Sequence, residues 1–367
     1  MAIRAASFQE RLANHFRIAV AYRSAGKIGS IMRFLGMLIR TRPAACYVFD
    51  MAFSGVVAAG LYRCLSRCGI IIDTGDAIYE LSKSTGNRGR VGLWLTKLLE
   101  RFSLAVCDRL VVRSHPHAEL LRNTGIQVRV VPDGVDTRQF SPRTDTELQH
   151  EYQLDGFTVV GLLGSLIWSP RWNMCYGSEL IDVIDLLRDL PVKGMIVGDG
   201  SGLPRLKKEC AERGLEDRIV FVGRIPYPKL PAYISRMDIA ISTQTNDVPG
   251  QVRTTGKLPL YLACGRFVLA TEVGEAARVL PKEMLVRYDG TKDPDYPARL
   301  ASRVRELLGR PGSLDRQTAA VAIAKANFDY DLLASRVLDV FREVIPGRFG
   351  TDEALLPAEG IRSTPRH

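Results

Sequence analysis

A short segment around residue 256 combines a glycine, a lysine and a predicted helix start in an order that suits phosphate binding. The pattern predicts a helix over residues 257–264, with Thr255 as its N-cap and Pro259 in the first turn, where a missing N–H costs little. Free backbone N–H groups and the positive end of the helix dipole attract phosphate. Gly256 would let a phosphate approach closely and Lys257 would add a positive charge. The alternative is an ordinary strand–helix unit with a solvated lysine.

Asp76 and a pair of histidines are further polar groups with potential chemistry. Asp76 follows a predicted buried strand, and parallel sheets bind ligands at the carboxyl ends of their strands, so Asp76 is a candidate ligand contact. The alternative is an aspartate that only closes a turn. His115 and His117 look like a metal pair, but zinc needs three or four ligands and no third ligand cluster is visible. We therefore predict a helix start there, and no metal site.

Strands and helices alternate along the chain with short loops, which is typical of parallel sheets with helices on both faces. In the second half, strands are predicted over residues 158–164, 192–197, 218–223, 239–243 and 267–271, and helices over 174–190, 203–214, 227–236 and 257–264. In the first half, strands are predicted over 16–22, 45–49, 69–73, 109–112 and 127–131, with helices between them. An amphipathic helix over 330–345 and a loose tail over 346–367 complete the pattern.

The positive charge of the chain is concentrated at one end. The net charge is +10, and the whole excess lies in the first 140 residues, which hold 20 Lys and Arg against 10 Asp and Glu. A one-sided basic region points to an anionic partner: membrane lipid, a phosphorylated acceptor or nucleic acid. Residues 91–102 add apolar side chains at helical spacing among basic ones. They form either a core-facing helix or a helix that lies on an anionic membrane.

Cysteine usage and hydropathy favour a cytoplasmic protein. The seven cysteines show no zinc-ligand spacing and mostly lie in apolar runs, which favours reduced core thiols. The N-terminus lacks the pattern of a signal peptide, and the uncharged stretches, such as residues 51–62, are shorter than the ~20 residues that span a bilayer. We expect a soluble protein or one bound peripherally to the inner face of the membrane. Because no nucleic-acid-binding motif accompanies the basic charge, we predict no nucleic-acid partner.

Three segments taken together resemble the retaining glycosyltransferases of family 4. Residues 130–142, Val-Val-Pro-Asp-Gly-Val-Asp-Thr-Arg-Gln-Phe-Ser-Pro, are similar to the bridge between the family's two domains. The other two segments are residues 195–200 followed by 218–224, and residues 256–265 followed by 267–271. The resemblance covers residues 100–345. It implies an α/β protein with the GT-B fold, in which two Rossmann-like domains face each other across a cleft.

The resemblance also implies a division of labour between the two domains. Residues 1–140 would form a Rossmann-like acceptor domain, and residues 141–328 would form the nucleotide-sugar domain, with the linker near 136–155. A helix over 329–345 would cross back to the first domain, and 346–367 would be a flexible tail. The family opens with a strand, a Gly-rich loop and a helix, whereas this chain opens with an Arg-rich stretch. We therefore expect the N-terminal domain to be shortened at its start.

On this resemblance, the cleft would bind a nucleoside-diphosphate sugar. Arg171 and Lys257 would hold the diphosphate and meet the charge that grows on the leaving group, and Asp76 would contact the sugar or acceptor. UDP is the favoured nucleotide and GDP the alternative; no cofactor is implied. The acceptor would be a saccharide or a lipid-linked compound. The further donor-binding residues predicted are Gly164, Ser165, Arg224, Ile225, Thr255, Gly256, Leu258 and Leu260.

The chain departs from the family at the donor site. The family carries arginine directly after the glycine and lysine six residues later, where this chain has Ser165 and Arg171. The family also has two glutamates eight positions apart, the second of which holds the ribose hydroxyls. Val252 and Leu260 stand at these positions, and neither side chain accepts a hydrogen bond. Three nearby acids are candidates to take over: Asp247, Glu272 and Glu275.

The favoured interpretation is a retaining, metal-independent glycosyltransferase that acts in polysaccharide or glycolipid synthesis. The alternative is a non-catalytic GT-B protein that binds a partner or a lipid, which the two missing glutamates favour. A nicotinamide-dependent dehydrogenase is disfavoured because no strand–Gly-x-Gly-x-x-Gly–helix unit is present.

Overall fold

The structure is a computed structural model that describes residues 2–23, 26–86, 88–315 and 317–345; the predicted tail lies outside these residues. The first domain is a four-stranded parallel sheet with its strands in sequential order, β1-β2-β3-β4, and with helices on both faces. Its elements are α1 (Ala2–Leu12), α2 (Lys27–Thr41), β1 (Ala45–Val48), α3 (Phe53–Arg63), β2 (Gly69–Thr74), α4 (Ile78–Thr85), α5 (Arg90–Val106), β3 (Arg109–Val112), α6 (His115–Leu120) and β4 (Val128–Val130).

The two faces of this sheet are covered by different helices because successive residues of a strand point to opposite sides. Ile70 and Ile72 of β2 belong to the same buried cluster as Val56 of α3. Ile71 instead belongs to a cluster on the other face that includes Phe8 of α1. Every residue of β2 is buried, as expected for a parallel strand that is covered on both sides.

The second domain is another parallel sheet with helices on both faces. Its elements are α7 (Thr146–Glu151), β5 (Thr158–Leu163), β6 (Trp168–Ser169), β7 (Met174–Cys175), α8 (Ser178–Leu186), β8 (Val192–Val197), α9 (Leu203–Glu212), β9 (Ile219–Gly223), α10 (Leu230–Ile234), β10 (Ile239–Ser242), α11 (Val248–Val252), α12 (Lys257–Ala263), β11 (Phe267–Thr271), α13 (Ala276–Val279), β12 (Leu285–Val286), α14 (Tyr296–Leu308) and α15 (Gln317–Phe328). The strand order is β12-β11-β10-β5-β8-β9, so the chain builds on one side of β5 and then returns to place β10 on the other. In α/β sheets such a reversal places the ligand-binding crevice at the carboxyl ends of the two strands beside it, here β5 and β10.

The chain passes between the two domains twice, and the two crossings are hydrogen-bonded to each other. The Val135 N–H donates to the Phe328 carbonyl (2.8 Å), and the Tyr330 N–H donates to the Val135 carbonyl (3.0 Å). Helix α16 (Tyr330–Val344) then packs on α1 and β2 of the first domain. The second crossing therefore returns the end of the described chain to the first domain.

Two predicted elements are wrong. Residues 16–22 alternate large apolar residues with small or charged ones, as a strand does, but they form irregular chain after α1. Residues 174–190 were expected to form one helix, yet the first two residues form β7 and Gly177, with φ of 104°, turns the chain before α8 begins. A strand needs a neighbour to pair with, and local periodicity does not report whether one is available.

Helix α5 exposes much of its apolar stripe, so the interpretation of this stripe as core-facing is wrong. Val91, Trp94 and Leu98 are 72%, 62% and 50% exposed. Helix α2, which packs on α3, adds Ile28 and Met32, which are also strongly exposed. Within the described residues, no helix is both long and apolar enough to cross a membrane.

A buried ion network joins α1 to the carboxyl ends of the first sheet. The Arg4 guanidinium donates to the Asp73 carboxylate (2.9 Å) and to the carbonyls of Val131 and Pro132. Asp73 also accepts hydrogen bonds from Tyr47 (2.8 Å) and Arg113 (3.2 Å). Burial by itself would raise the pKa of Asp73, but the two arginines and the Tyr47 hydroxyl outweigh it and hold this pKa below its ordinary value.

We expect Arg4→Ala to lower the free energy of unfolding by about 3–5 kcal/mol at pH 7, because it removes one partner from a buried ion pair. Urea unfolding followed by circular dichroism measures this change. Arg122→Ala is the control, since it removes only an exposed pair with Glu119 and should cost less than about 1 kcal/mol. Equal losses in both variants would contradict the central role of the network.

The same network predicts a dependence of stability on pH. Because the pKa of Asp73 is lower in the folded than in the unfolded state, the unfolded chain takes up this proton first on acidification. The stabilising contribution is present above pH ~4 and is lost as the pH falls further. Asp73→Asn should reduce this loss when unfolding is compared at neutral and acidic pH.

Candidate active site

The crevice between β5 and β10 brings together residues that lie far apart in the sequence. Gly164 directly follows β5, and the segment from Arg253 to Lys257 begins helix α12, which follows β10 and α11. The ring of Tyr176, which follows β7, lies between them. The Lys257 ammonium is 3.5 Å from the centroid of this ring. A Cβ atom at Gly164 would lie 2.7 Å from Tyr176 Cε1, so glycine is what allows the ring to pack there.

Sequence analysis missed Tyr176. It lies in the run that was predicted as a single helix, so its apolar ring was assigned to a helix face. The usable signal was the following glycine, Gly177, which adopts a positive φ and breaks that run.

Lys257 is a half-buried cation whose charge is not neutralised by an ion pair. Among the described residues, no carboxylate oxygen lies within 4.0 Å of its Nζ atom. Burial lowers the pKa of Lys257 to about 7, the negative charge of Glu179 opposes this shift, and the positive charge of Arg253 adds to it. An anion in the crevice would supply the charge that this ammonium lacks.

The predicted start of α12 is correct in position, but the predicted cap is wrong. The N-cap is Gly256 and it has no side-chain hydrogen bond. The hydroxyl of Thr255 instead lies 3.2 Å from that of Ser242 at the end of β10. A Cβ atom at Gly256 would meet nothing within 4 Å, so the backbone at this position is open to close approach.

The glycine-rich loop after β8 packs directly on the loop after β5. A Cβ atom at Gly198 would lie 1.9 Å from the carbonyl oxygen of Gly164, and one at Gly200 would lie 2.3 Å from that of Leu166. The Leu166 N–H donates to the carbonyl of Asp199 (3.0 Å). These contacts exclude side chains at both glycines and hold the two loops together at the edge of the crevice.

The remaining predicted contacts occupy different environments. Ser165 and Arg224 are exposed, and Ile225 packs against the core of the second domain. Arg171 is also exposed, and it donates to the carbonyl of Lys83 at the end of α4 (3.0 Å). Arg171 therefore reaches the first domain rather than joining Lys257 in a pair.

The two positions that carry glutamate in the family are packing positions in this chain. Val252 is 2% exposed and Leu260 is 6% exposed, and Leu258 is similarly buried. The side chains of Leu258 and Leu260 belong to the core of the second domain. Any contact of these two leucines with the nucleotide sugar would have to come from their backbone atoms.

Two of the three acids suggested as replacements for the family's glutamates already have structural partners. One oxygen of Asp247 accepts from the Gly250 N–H (2.9 Å), which caps α11. Glu275 is buried and accepts from the backbone N–H of His115 (2.9 Å). Glu272 is exposed at the end of β11.

Asp76 faces the second domain and is held by an arginine that sequence analysis did not single out. Arg253 donates to one oxygen of the Asp76 carboxylate at 2.8 Å. The Thr74 hydroxyl donates to the Asp76 carbonyl (2.8 Å), which also matches the turn that was the alternative for this residue. Asp76 is thus both a turn residue and a link between the domains.

The two histidines do not form a common site. The His115 ring lies against Glu275, 2.9 Å away. His117 is buried, and this burial lowers its pKa to about 4, against the opposing charge of Asp76. Within the described residues there is no group of three or more His, Cys, Asp or Glu side chains that could hold a metal ion.

The environment of Lys257 predicts a lysine that titrates near neutral pH. Its pKa is lower in the folded chain than the ordinary value of about 10.4, so folding releases a proton between pH ~7 and ~10 and stability rises with pH over that window. Titration of reductively ¹³C-methylated protein by NMR should show one resonance that shifts near pH 7 and is absent from Lys257→Met. Lys208→Met, which removes an exposed lysine, is the control. If every lysine resonance of the wild-type protein titrates above pH ~9, the prediction is wrong.

Comparison with known proteins finds a family that the second domain resembles. The family model for "Glycosyl transferases group 1" matches residues 158–310. The chain is 22% identical over 271 residues to the GPI3 subunit of phosphatidylinositol N-acetylglucosaminyltransferase from Saccharomyces cerevisiae, covering 71% of this chain and 56% of that protein. It is 31% identical over 208 residues to a GDP-mannose-dependent alpha-(1-6)-phosphatidylinositol monomannoside mannosyltransferase from Mycolicibacterium smegmatis, covering 55% and 51%. The chain thus spans about half the length of these relatives.

Solved structures share the arrangement of both domains. Sucrose-phosphate synthase from Thermosynechococcus elongatus has a TM-score of 0.70 and 17% identity, covering 86% of this chain and 77% of that one. HepE of Anabaena in complex with UDP-glucose has a TM-score of 0.69 and 16% identity, covering 92% and 89%. At these identities the likeness concerns the fold, which is the predicted GT-B architecture. Residues 158–310, which make up most of the second domain, are similar to the group 1 glycosyl transferases.

Proposed function

We propose that this protein transfers a sugar from a nucleoside-diphosphate sugar to a polysaccharide, glycolipid or related acceptor, with retention at the anomeric carbon. The observation that carries the proposal is the position of the Lys257 ammonium, which no carboxylate in the described part of the chain pairs with, beside the open backbone of Gly256. These residues lie at the reversal in strand order, where α/β sheets bind ligands. The family match over residues 158–310 supports a nucleotide sugar as the ligand of this crevice.

Lys257 acts on the diphosphate of the donor. As the bond to the sugar breaks, negative charge grows on the leaving phosphate, and a nearby ammonium stabilises that charge more than it stabilises the bound substrate. The backbone N–H groups of Thr255, Gly256 and Lys257 add donors, whereas that of Leu258 already donates to the Thr255 carbonyl. Arg171 contributes a second cation by exchanging the Lys83 carbonyl for a phosphate oxygen. In the retaining mechanism that the family resemblance implies, a donor phosphate oxygen helps to deprotonate the acceptor on the face from which the leaving group departs.

The donor is a UDP-sugar in this proposal, with a GDP-sugar as the alternative. HepE, which shares the fold over most of its length, is described in complex with UDP-glucose. The mycobacterial mannosyltransferase is named as GDP-mannose-dependent. These two names give the pair of nucleotides that the binding experiments below compare.

The acceptor in this proposal is lipid-linked. The names of two relatives refer to phosphatidylinositol-based compounds. The first 140 residues carry the whole positive excess of the chain, and α2 and α5 in that region expose apolar side chains. Such helices bind at the surface of an anionic bilayer, with the apolar side chains at the acyl boundary and the basic ones near the headgroups. We therefore propose peripheral binding at the inner face of the cytoplasmic membrane.

The alternative function is a non-catalytic GT-B subunit that binds a partner or lipid. The burial of Val252 and Leu260 favours it, because these positions offer no ribose ligand. A thermal-shift screen of nucleotide sugars separates the two functions, since a ligand at 100 times its Kd stabilises the folded state by about 2.7 kcal/mol. An enzyme should be stabilised by at least one nucleotide sugar and should hydrolyse or transfer it. Stabilisation by none of them would favour the alternative.

We expect Lys257→Ala and Arg171→Ala each to weaken UDP binding by about tenfold or more. Each loses a charge-assisted bond to phosphate, worth about 1.5–3 kcal/mol. Isothermal titration calorimetry with UDP and with GDP measures the change, and Lys208→Ala is the control for loss of an exposed cation. Unchanged affinity in both site variants would remove the phosphate assignment.

We expect the protein to co-sediment with vesicles that contain anionic phosphatidylserine, more strongly as its fraction rises and less strongly as salt is added. Salt screens charges over ~8–10 Å at physiological ionic strength. A Trp94→Glu, Leu98→Glu double variant should release the protein, because it places negative charge on the exposed stripe of α5. Leu186→Glu, at an exposed position on α8, is the matched control. Equal binding to neutral vesicles, or no binding, would contradict the proposal.

A further inference from the structure

Arg253 lies in the link between α11 and α12 and reaches across the cleft to the first domain. The residue is extended, with φ of −83° and ψ of 136°, and its side chain leaves the second domain. Its Nε and Nη2 atoms both lie 2.8 Å from one oxygen of Asp76, the residue that follows β2 by two positions. The two partners are 177 positions apart in the sequence.

Arg253 shares the electrostatic environment of Lys257. Its charge is one of the causes that lower the pKa of Lys257, whereas Glu179 on α8 acts in the opposite direction. Asp76 is thus the carboxylate that pairs with the arginine, whereas Glu179 influences the lysine only through its charge. Arg253 and Lys257 repel each other, and Arg253 has its carboxylate partner across the cleft. A doubly charged phosphate group between the two cations would reduce this repulsion.

The ion pair between Arg253 and Asp76 is easily exchanged. Its side chains are 44% and 36% exposed, and pairs this open to water contribute little to stability. Other contacts hold the domains together without it. The Ser114 hydroxyl donates to the Val252 carbonyl, and the Thr254 hydroxyl donates to the Arg113 carbonyl (3.2 Å). The Glu275 carboxylate accepts from the His115 N–H (2.9 Å).

We propose that Arg253 binds the donor diphosphate, and that the phosphate takes the place of the Asp76 carboxylate on the guanidinium. This inference rests on the proposed function. Arg253 would supply the positive charge that Ser165 does not provide. Its guanidinium can exchange the two ligands because it binds phosphate oxygens in the same forked geometry as carboxylate oxygens. No covalent bond changes in this exchange.

The exchange has a consequence for the order of binding. With the donor absent, the Asp76 carboxylate is engaged by Arg253. Once phosphate occupies Arg253, the carboxylate is released at the same crevice and can accept a hydrogen bond from a hydroxyl group of the sugar or acceptor. Donor binding thus prepares Asp76 for its second ligand.

The test measures binding of UDP and GDP by calorimetry to the full-length chain and four variants. We expect Arg253→Ala to weaken binding of the preferred nucleotide about tenfold or more, and Arg253→Lys to weaken it less. Asp76→Asn should tighten binding about two- to fivefold, because the competing carboxylate is removed. In the Asp76→Asn, Arg253→Ala double variant the tightening should disappear.

The matched controls come from a surface pair of similar exposure in the second domain. Arg305 and Asp189 lie 2.6 Å apart and are 46% and 60% exposed. Arg305→Ala and Asp189→Asn reproduce the same changes of charge away from the crevice, and both should leave affinity unchanged. Thermal unfolding of each variant verifies that it is folded.

The outcomes separate this inference from the function on which it rests. A wild-type chain that binds neither UDP nor GDP overturns both. A wild-type chain that binds, beside an Arg253→Ala variant of equal affinity, overturns only the inference. Weaker binding by Asp76→Asn also overturns it, because Asp76 would then support the site instead of competing for Arg253.

Discussion

The buried carboxylate of Asp73 is the group on which the packing of the first domain depends, and its partners extend to the boundary with the second domain. A charge in such a place is tolerated only when it is paired and hydrogen-bonded, and here Arg4, Arg113 and Tyr47 all serve it. Arg113 also lies 3.5 Å from Asp133, whose other oxygen is 3.4 Å from the Thr254 hydroxyl. The network therefore runs from the first helix through the first sheet to the segment that begins α12.

The crevice is characterised by a positive charge, that of Lys257, with which no carboxylate of the described residues forms an ion pair. Burial near an aromatic ring makes the Lys257 ammonium costly, and Glu179 offsets this cost only in part. Val252 and Leu260 are buried apolar residues at the two positions where the family resemblance would place glutamates. Without these two carboxylates the site is more positive. The balance of charge thus favours a polyanionic ligand and offers few groups to recognise neutral hydroxyls.

Helix α5, the exposed helix of the first domain, is connected to the crevice by hydrogen bonds through α4. Glu100 of α5 accepts from the Ile78 N–H (2.9 Å), which ties α5 to the start of α4. The end of α4 contacts the second domain, where the Lys83 carbonyl accepts from Arg171 and the Ser84 hydroxyl lies 3.4 Å from Asp247. A membrane surface bound by α5 would consequently be connected to the proposed donor site through α4.

The sequence by itself determined the class of fold and the place of the phosphate segment. Alternating apolar runs and amphipathic stretches predict parallel sheets, and the strands predicted over residues 109–112, 192–197 and 267–271 have the bounds found in the structure. These features are local, since a buried strand and a helix start are recognisable from a few neighbouring residues.

Only the tertiary structure decided which side chains share the site. It placed Tyr176 between Gly164 and Lys257, paired Asp76 with Arg253, and turned Arg171 toward the first domain. It also showed that residues 16–22 have no strand to pair with. Each of these depends on contacts between segments that are distant in the sequence. The periodicity of apolar residues indicates which face of a helix or strand is apolar. It does not indicate which distant residues that face, or the charged side chains beside it, will contact.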